Sequence, residues 1–320
     1  MKKWIKALCF LLILVCFFAF NRLVITPRYT ANMIYTTYLD KAARAESISG
    51  PRMIFLGGSG ANLSLSAREF TRLSGTESVN MAVVAEVPVE ISLRMAQLHA
   101  RPGDTVILVL ESFAFVAAPT DYSEGYLDMV AVDENLSTVE TPAQWVKYQG
   151  KQFLRGFSRL NDLISYYVYQ KADPDSMGSI YTSGTADEYG DFFAHQGLKP
   201  TYQPVSTVGT TDVSLHPEMV ALIRKACREL EERGVTVYIT YAPTDGFRYE
   251  NREAFYGKLQ EMAEEAYGEW ILGTPFDFHY PADMFFDSDH HMRYECRDVY
   301  TADLYRIWQE AQNPDLQEVD

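Results

Sequence analysis

The spacing of apolar and polar residues changes along this chain, and each change marks a different kind of structure. Residues 4 to 20, WIKALCFLLILVCFFAF, are almost continuously apolar after Met1-Lys2-Lys3. At a helical rise of 1.5 Å the run is about 25 Å long, near the short end for a bilayer span. Asn21 and Arg22 interrupt the apolar text before Leu23, Val24 and Ile25. Residues 28 to 48 read as a connecting helix after Thr26-Pro27, with Tyr29, Met33, Ile34, Tyr38 and Ala42 on one side.

From residue 52 onward, short apolar runs alternate with helical text. Strands are predicted at 52–56, 78–82, 105–110, 235–241 and 270–272. Helices are predicted at about 61–73, 87–100, 217–233, 250–267 and 293–312. Pro217 suits the first turn of its helix and Gly234 the end. Continuous apolar strands separated by helices predict a parallel sheet covered on both faces, with ligands at the carboxyl ends of the strands. Residues 112 to 215 break the alternation. They open with a long helical stretch after Thr141-Pro142, carrying Trp145, Phe153, Leu154, Phe157, Leu160, Leu163 and Ile164, and continue as a loop from 173 to 215. An insertion this long is expected to act as a lid rather than as a second domain. The expected organisation is a membrane segment at 1–27, a connecting helix at 28–49 and one α/β domain at 50–320.

Composition adds compartment and partners. The 320 residues carry a net charge of −15, and the only charges in the first 21 are Lys2, Lys3 and Lys6. An acidic body repels phosphate backbones, which argues against nucleic-acid binding. Basic residues ahead of the apolar run place the N-terminus in the cytoplasm and the body outside. Phe17-Phe18-Ala19-Phe20 is bulky for a signal-peptide cleavage site, so an uncleaved anchor is favoured over a cleaved signal. Of the four cysteines, Cys9 and Cys16 sit in the apolar run. Cys227 and Cys296 are read as two separate thiols, with pairing the alternative.

Two segments carry chemistry. In Phe55-Leu56-Gly57-Gly58-Ser59-Gly60, a serine flanked by glycines follows the first strand, where backbone N–H groups at a helix start can stabilise an oxyanion. The plain alternative is a glycine-rich turn. Gly58 and Gly60 lack the third glycine of a dinucleotide fingerprint, and no lysine follows for a phosphate loop. In Phe285-Phe286-Asp287-Ser288-Asp289-His290-His291-Met292, two histidines adjoin two aspartates, the base and orienting carboxylate a serine nucleophile needs. A helix cap or a metal site are the alternatives. His279 is the only further histidine nearby, and no H-E-x-x-H or Cys/His cluster exists.

Together these segments resemble the SGNH, or GDSL-like, hydrolase superfamily. Gly57-Gly58-Ser59 is similar to its G-D-S block, with Gly58 in place of the usual acid. Asp287-Ser288-Asp289-His290 matches D-x-x-H. His291-Met292 is similar to the family's His-Leu step, with Asp287 four residues back or Asp289 two back. Val79-Asn80-Met81-Ala82 looks like the block after the second strand without its glycine, and Leu110-Glu111-Ser112-Phe113 stands where the family has G-x-N-D. Asp187-Glu188-Tyr189-Gly190-Asp191 resembles an Asn-x-x-Gly-Asp stretch of membrane-anchored envelope proteins, the D-alanyl-lipoteichoic acid transfer proteins and O-acetylation accessory proteins.

The resemblance implies a three-layer α/β/α fold with a flavodoxin-like parallel sheet. It implies Ser59 as nucleophile, His291 as base (with His290 the literal match), Asp287 or Asp289 as its partner, and Gly60 and Asn80 as oxyanion donors. No metal or organic cofactor is implied. The implied partners are a cell-envelope glycan or teichoic acid and a polytopic membrane O-acyltransferase. The rival expectations are a catalytically degenerate scaffold and a plain secreted carbohydrate deacetylase.

Overall fold

The computed structural model describes residues 2–172 and 180–313. Part of the loop predicted at 173–215, residues 173–179, and the last seven residues of the expected domain lie outside them. The chain divides into two units. One holds the N-terminal segment through Thr36 together with Tyr122–Ser183; the other holds Thr37–Asp121 and Gly184–Asp320.

In the larger unit, the apolar strand texts form one parallel sheet. Its strands are β1 (Met53–Gly57), β2 (Ser78–Asn80), β3 (Thr105–Leu110) and β4 (Thr236–Tyr241), in the order β2-β1-β3-β4. β1 runs in register with β3 from Met53 opposite Thr105 to Gly57 opposite Val109. Every residue of β1 is buried, as expected for a strand covered on both faces. The 270–272 text makes only a single parallel bridge, Ile271 to Ile239, because a 3₁₀ turn at Gly268–Trp270 uses up its start. A small parallel pair, β5 (Thr244–Asp245) with β6 (His279–Tyr280), was not visible in the sequence pattern.

Helices α3 (Thr37–Ser47), α6 (Val89–His99), α10 (Pro217–Glu232) and α11 (Arg252–Tyr267) belong to this unit, with α6 packed on α10. So do α4 (Ser59–Ser64), α5 (Ala67–Ser74) and α12 (Arg297–Gln312); α12 packs on both α4 and α5. The single helix expected at 61–73 is therefore two. Ser66 caps α5 by accepting from the Glu69 N–H, which stops α4 at Ser64. Below the sheet, Arg52 and Asp104 form a buried ion pair at 2.6 Å just before β1 and β3. Arg52 also donates to the carbonyls of Ala45 and His99, so both charges are fully bonded. Cys227 and Cys296 are free thiols.

The smaller unit contains α1 (Lys2–Phe20), α2 (Thr26–Thr30), α8 (Glu124–Val132) and α9 (Pro142–Ser165); the short α7 (Ser112–Val116) belongs to the larger unit. Asn21 and Arg22 do not end the apolar helix. A π-turn at Asn21–Ile25 joins α1 to α2, giving one helix over Lys3–Thr30, 28 residues long and apolar enough to cross a membrane. The widened turn accommodates Pro27, which has no N–H and crowds the carbonyl four residues earlier. The connecting helix expected at 28–49 is broken: the chain turns after Thr30, and Met33 bridges to Thr182 before α3 begins.

A buried polar cluster sits within the core of this unit. Asp128, fully buried on α8, accepts from Arg155 at 2.6 Å, Arg159 at 2.8 Å and the Tyr29 hydroxyl at 3.0 Å. Gly156 allows Asn21 to pack directly on α9: a Cβ there would lie 2.1 Å from the Asn21 side chain.

Candidate active site

β1 has β2 on one side and β3 on the other, so the strand order reverses at β1. In parallel α/β sheets ligands enter at the carboxyl ends around such a point. Ser59 follows β1 there and opens α4; Glu111 follows β3. Ser59 is buried, at 7% exposure, and its hydroxyl has no hydrogen-bond partner among the described residues.

The glycines around Ser59 have a packing reason. A Cβ on Gly57 would lie 2.2 Å from the Val109 carbonyl oxygen, and one on Gly58 2.6 Å from a Glu111 carboxylate oxygen. Glu111 lies against them and accepts the Gly60 N–H at 2.8 Å. The Gly60 N–H expected to face an oxyanion is thus bonded to a carboxylate. Asn80 is equally committed. Its amide donates to the carbonyls of Ala61 and Leu65, its oxygen accepts the Ala82 N–H, and it is fully buried. In the structure the Gly60 N–H is taken by Glu111, and Asn80 braces α4 against β2.

α4 is held along its length. Besides Glu111 on Gly60, the Lys41 ammonium donates to Asn62 at 2.7 Å and to the Ala82 carbonyl. Ser64 donates its hydroxyl to the His290 carbonyl at 2.9 Å and accepts the Met292 N–H at 2.8 Å. The helix that begins with Ser59 is therefore bonded to the backbone on both sides of His291.

The two histidines separate. His291 Nδ1 lies 2.6 Å from an Asp287 carboxylate oxygen. His290 Nδ1 lies 2.9 Å from the Pro243 carbonyl, which can only accept, so that nitrogen carries the proton. Asp289 is 3.7 Å from His290 Nε2 and is paired with Arg248. Burial raises the Asp289 carboxyl, but His290 and Arg248 outweigh it and hold it below the ordinary carboxylate range. Asp287 is thus the partner of His291, and Asp289 belongs to the Arg248–His290 group.

Three further residues join this region, of which only Asp191 carried a sequence signal. His195 stacks on Phe192, both its ring nitrogens lack hydrogen-bond partners among the described residues, and burial followed by the nearby Arg297 and His291 pushes it down to about 4. Asp191 caps α5 through the Ala67 and Arg68 N–H groups, and Gly190 approaches the Asn80 carbonyl. The Asp187–Asp191 stretch is thereby tied to the free edge of β2.

Lys41 is the third. Burial pushes its ammonium down to about 7 against the pull of Asp191 and Asp187. The native state releases this proton before the unfolded chain does. Stability therefore rises with pH between about 7 and the unfolded lysine value, by about 1.4 kcal/mol per pH unit from this group. Urea unfolding at pH 7 and pH 9 should show that increment in the wild type and not in Lys41→Met; equal slopes would mean a charged Lys41 in the native state.

Among the described residues no group of three or more His, Cys, Asp or Glu side chains is placed to hold a metal ion. Compared with protein-family models, curated proteins and solved structures, the chain matches none.

Proposed function

We propose that this chain is a membrane-anchored, extracytoplasmic serine esterase or acyltransferase of the SGNH type. Its substrates on this reading are esters of a cell-envelope glycan or teichoic acid. The observation that carries the reading is the Ser64 latch: the helix opening with Ser59 is bonded on both sides of a histidine whose Nδ1 is held by a carboxylate. The strand order β2-β1-β3-β4 supports a flavodoxin-like, three-layer arrangement, since that fold uses the same order.

In this mechanism Ser59 Oγ attacks the ester carbonyl and its proton passes to His291 Nε2. His291 then protonates the departing alkoxide, leaving an acyl group on Ser59. Asp287 fixes the imidazole with its proton on Nδ1. Water or a glycan hydroxyl, deprotonated by His291, takes the acyl group. Lys2, Lys3 and Lys6 support a cytoplasmic N-terminus. A polytopic membrane O-acyltransferase is the partner that would deliver acyl groups across the bilayer.

A second reading is a catalytically degenerate scaffold that binds an envelope polymer or a membrane partner. The Gly60 N–H taken by Glu111 and the bonded amide of Asn80 favour it. A fluorophosphonate probe separates the two. Full-length protein in detergent is expected to carry one adduct, mapped to Ser59 and lost in His291→Ala. A folded protein without an adduct at Ser59 would leave the scaffold reading standing.

A further inference from the structure

Helix α9 is packed the wrong way round for a protein surrounded by water. Its inward face carries Tyr148, Gln152, Arg155 and Arg159, all buried. Its outward face carries Val146, Leu154, Phe157, Ile164 and, one turn past its end, Val168, each more than half exposed. Most of these recur at three- and four-residue spacing and form one stripe. In an aqueous setting the two faces would be exchanged, because burying arginines while exposing phenylalanine and isoleucine costs free energy on both sides.

The inward face is fully bonded. Arg155 and Arg159 meet Asp128, Gln152 donates to the Leu127 carbonyl, and Tyr29 completes the cluster. Rotating α9 to hide its apolar stripe would break all of these contacts. The orientation is therefore built in, and the outward stripe needs an apolar medium.

The anchor helix identifies that medium. Phe17, in the last turn of α1, stacks on Phe157 with ring centroids 4.3 Å apart and meets Phe153 edge-on at 5.3 Å. Leu14, Val15, Phe18 and Phe20 beside it are exposed. The stripe of α9 is thus continuous with the surface of the helix that, among the described residues, is long and apolar enough to span a membrane. It meets that helix at the end where the apolar run gives way to Asn21 and Arg22. Trp145 at one end of α9 and Tyr167 and Tyr169 beyond the other are exposed aromatics of the kind that settle at the headgroup level.

We infer that α9 is an interfacial membrane helix. Its apolar stripe lies in the leaflet next to the C-terminal end of the anchor, so the chain holds the bilayer by two elements. The occupant of the stripe is lipid. This inference rests on the anchor and does not depend on Ser59 being a nucleophile.

Tryptophan quenching tests it on the full chain. Protein carrying Trp4→Phe is reconstituted in phosphatidylglycerol-containing vesicles, with or without bromine on the upper acyl chains. The expected result is loss of about half of the Trp145 emission in brominated vesicles. The bromine effect should vanish when Trp145→Phe is added, because of the two tryptophans left Trp270 is buried and Trp308 packs against Phe70 and Tyr305 in the α/β unit. Phe157→Trp in that doubly substituted background should restore quenching, more strongly with bromine placed deeper. The parent protein reports insertion of the anchor through Trp4. Emission at positions 145 and 157 that ignores bromine while Trp4 is quenched would overturn the inference, whether the stripe then proves wet or covered by a second copy or another membrane protein. An unquenched Trp4 would remove the anchor and the inference with it.

Discussion

Ser59→Ala is expected to lower kcat for a simple acetyl ester by about 10³-fold or more, roughly 4 kcal/mol of transition-state stabilisation, with little change in KM. The hydroxyl is the only bond-forming group in the proposed reaction. Removing it from a helix pinned at Gly60, Asn62 and Ser64 should not disturb the fold. The histidines refine the expectation. His291→Ala should lose about as much as Ser59→Ala, because the two act as a unit and the losses do not add. His290→Ala should cost far less in kcat, since its ring is held by the Pro243 carbonyl rather than by a carboxylate. The measurement is p-nitrophenyl acetate hydrolysis by full-length protein in detergent. Equal rates for wild type and Ser59→Ala would end the nucleophile assignment; a larger loss in His290→Ala would move the base.

Asp128→Ala should give the largest change in stability, a loss of about 3–5 kcal/mol, because it strands two buried guanidinium groups. Arg155 and Arg159 share Asp128 as their buried carboxylate, although Arg155 also meets the exposed Glu124 at 2.7 Å. Glu134→Ala is the contrast. Its pair with Arg22 is exposed on both sides and should contribute under about 1 kcal/mol. Denaturant unfolding followed through Trp145, which lies in the same unit, would read both. A small effect for Asp128→Ala would mean that the arginines are solvated, which would also weaken the case for a fixed α9.

The β strands were legible because their text is short, apolar and separated by helical text. β3 and β4 were placed to within a residue. The Ser66-x-x-Glu69 spacing carried a capping signal that divides the predicted 61–73 helix, but the apolar periodicity continues across it and hides the break. The long helix at α9 was equally legible as a helix, although its apolar text mixes exposed residues with the buried Leu163. Periodicity finds a face without saying what it meets, so the inverted packing became visible only with Asp128 in place. At the site, Ser59 and the Asp287–His291 segment stood out by residue type and position after a strand or before a helix. The bonds that organise them did not. Glu111 to Gly60 and Lys41 to Asn62 join residues 51 and 21 apart in sequence. Lys41 and Asn62 also read as ordinary helix text.

The packing of Glu111 on Gly58 makes the two positions mutually exclusive sites for an acid. A side chain at 58 would collide with the carboxylate already there, 2.6 Å from where its Cβ would stand. Tolerance at either residue should depend on the other: Gly58→Asp has room only when Glu111 is cut back.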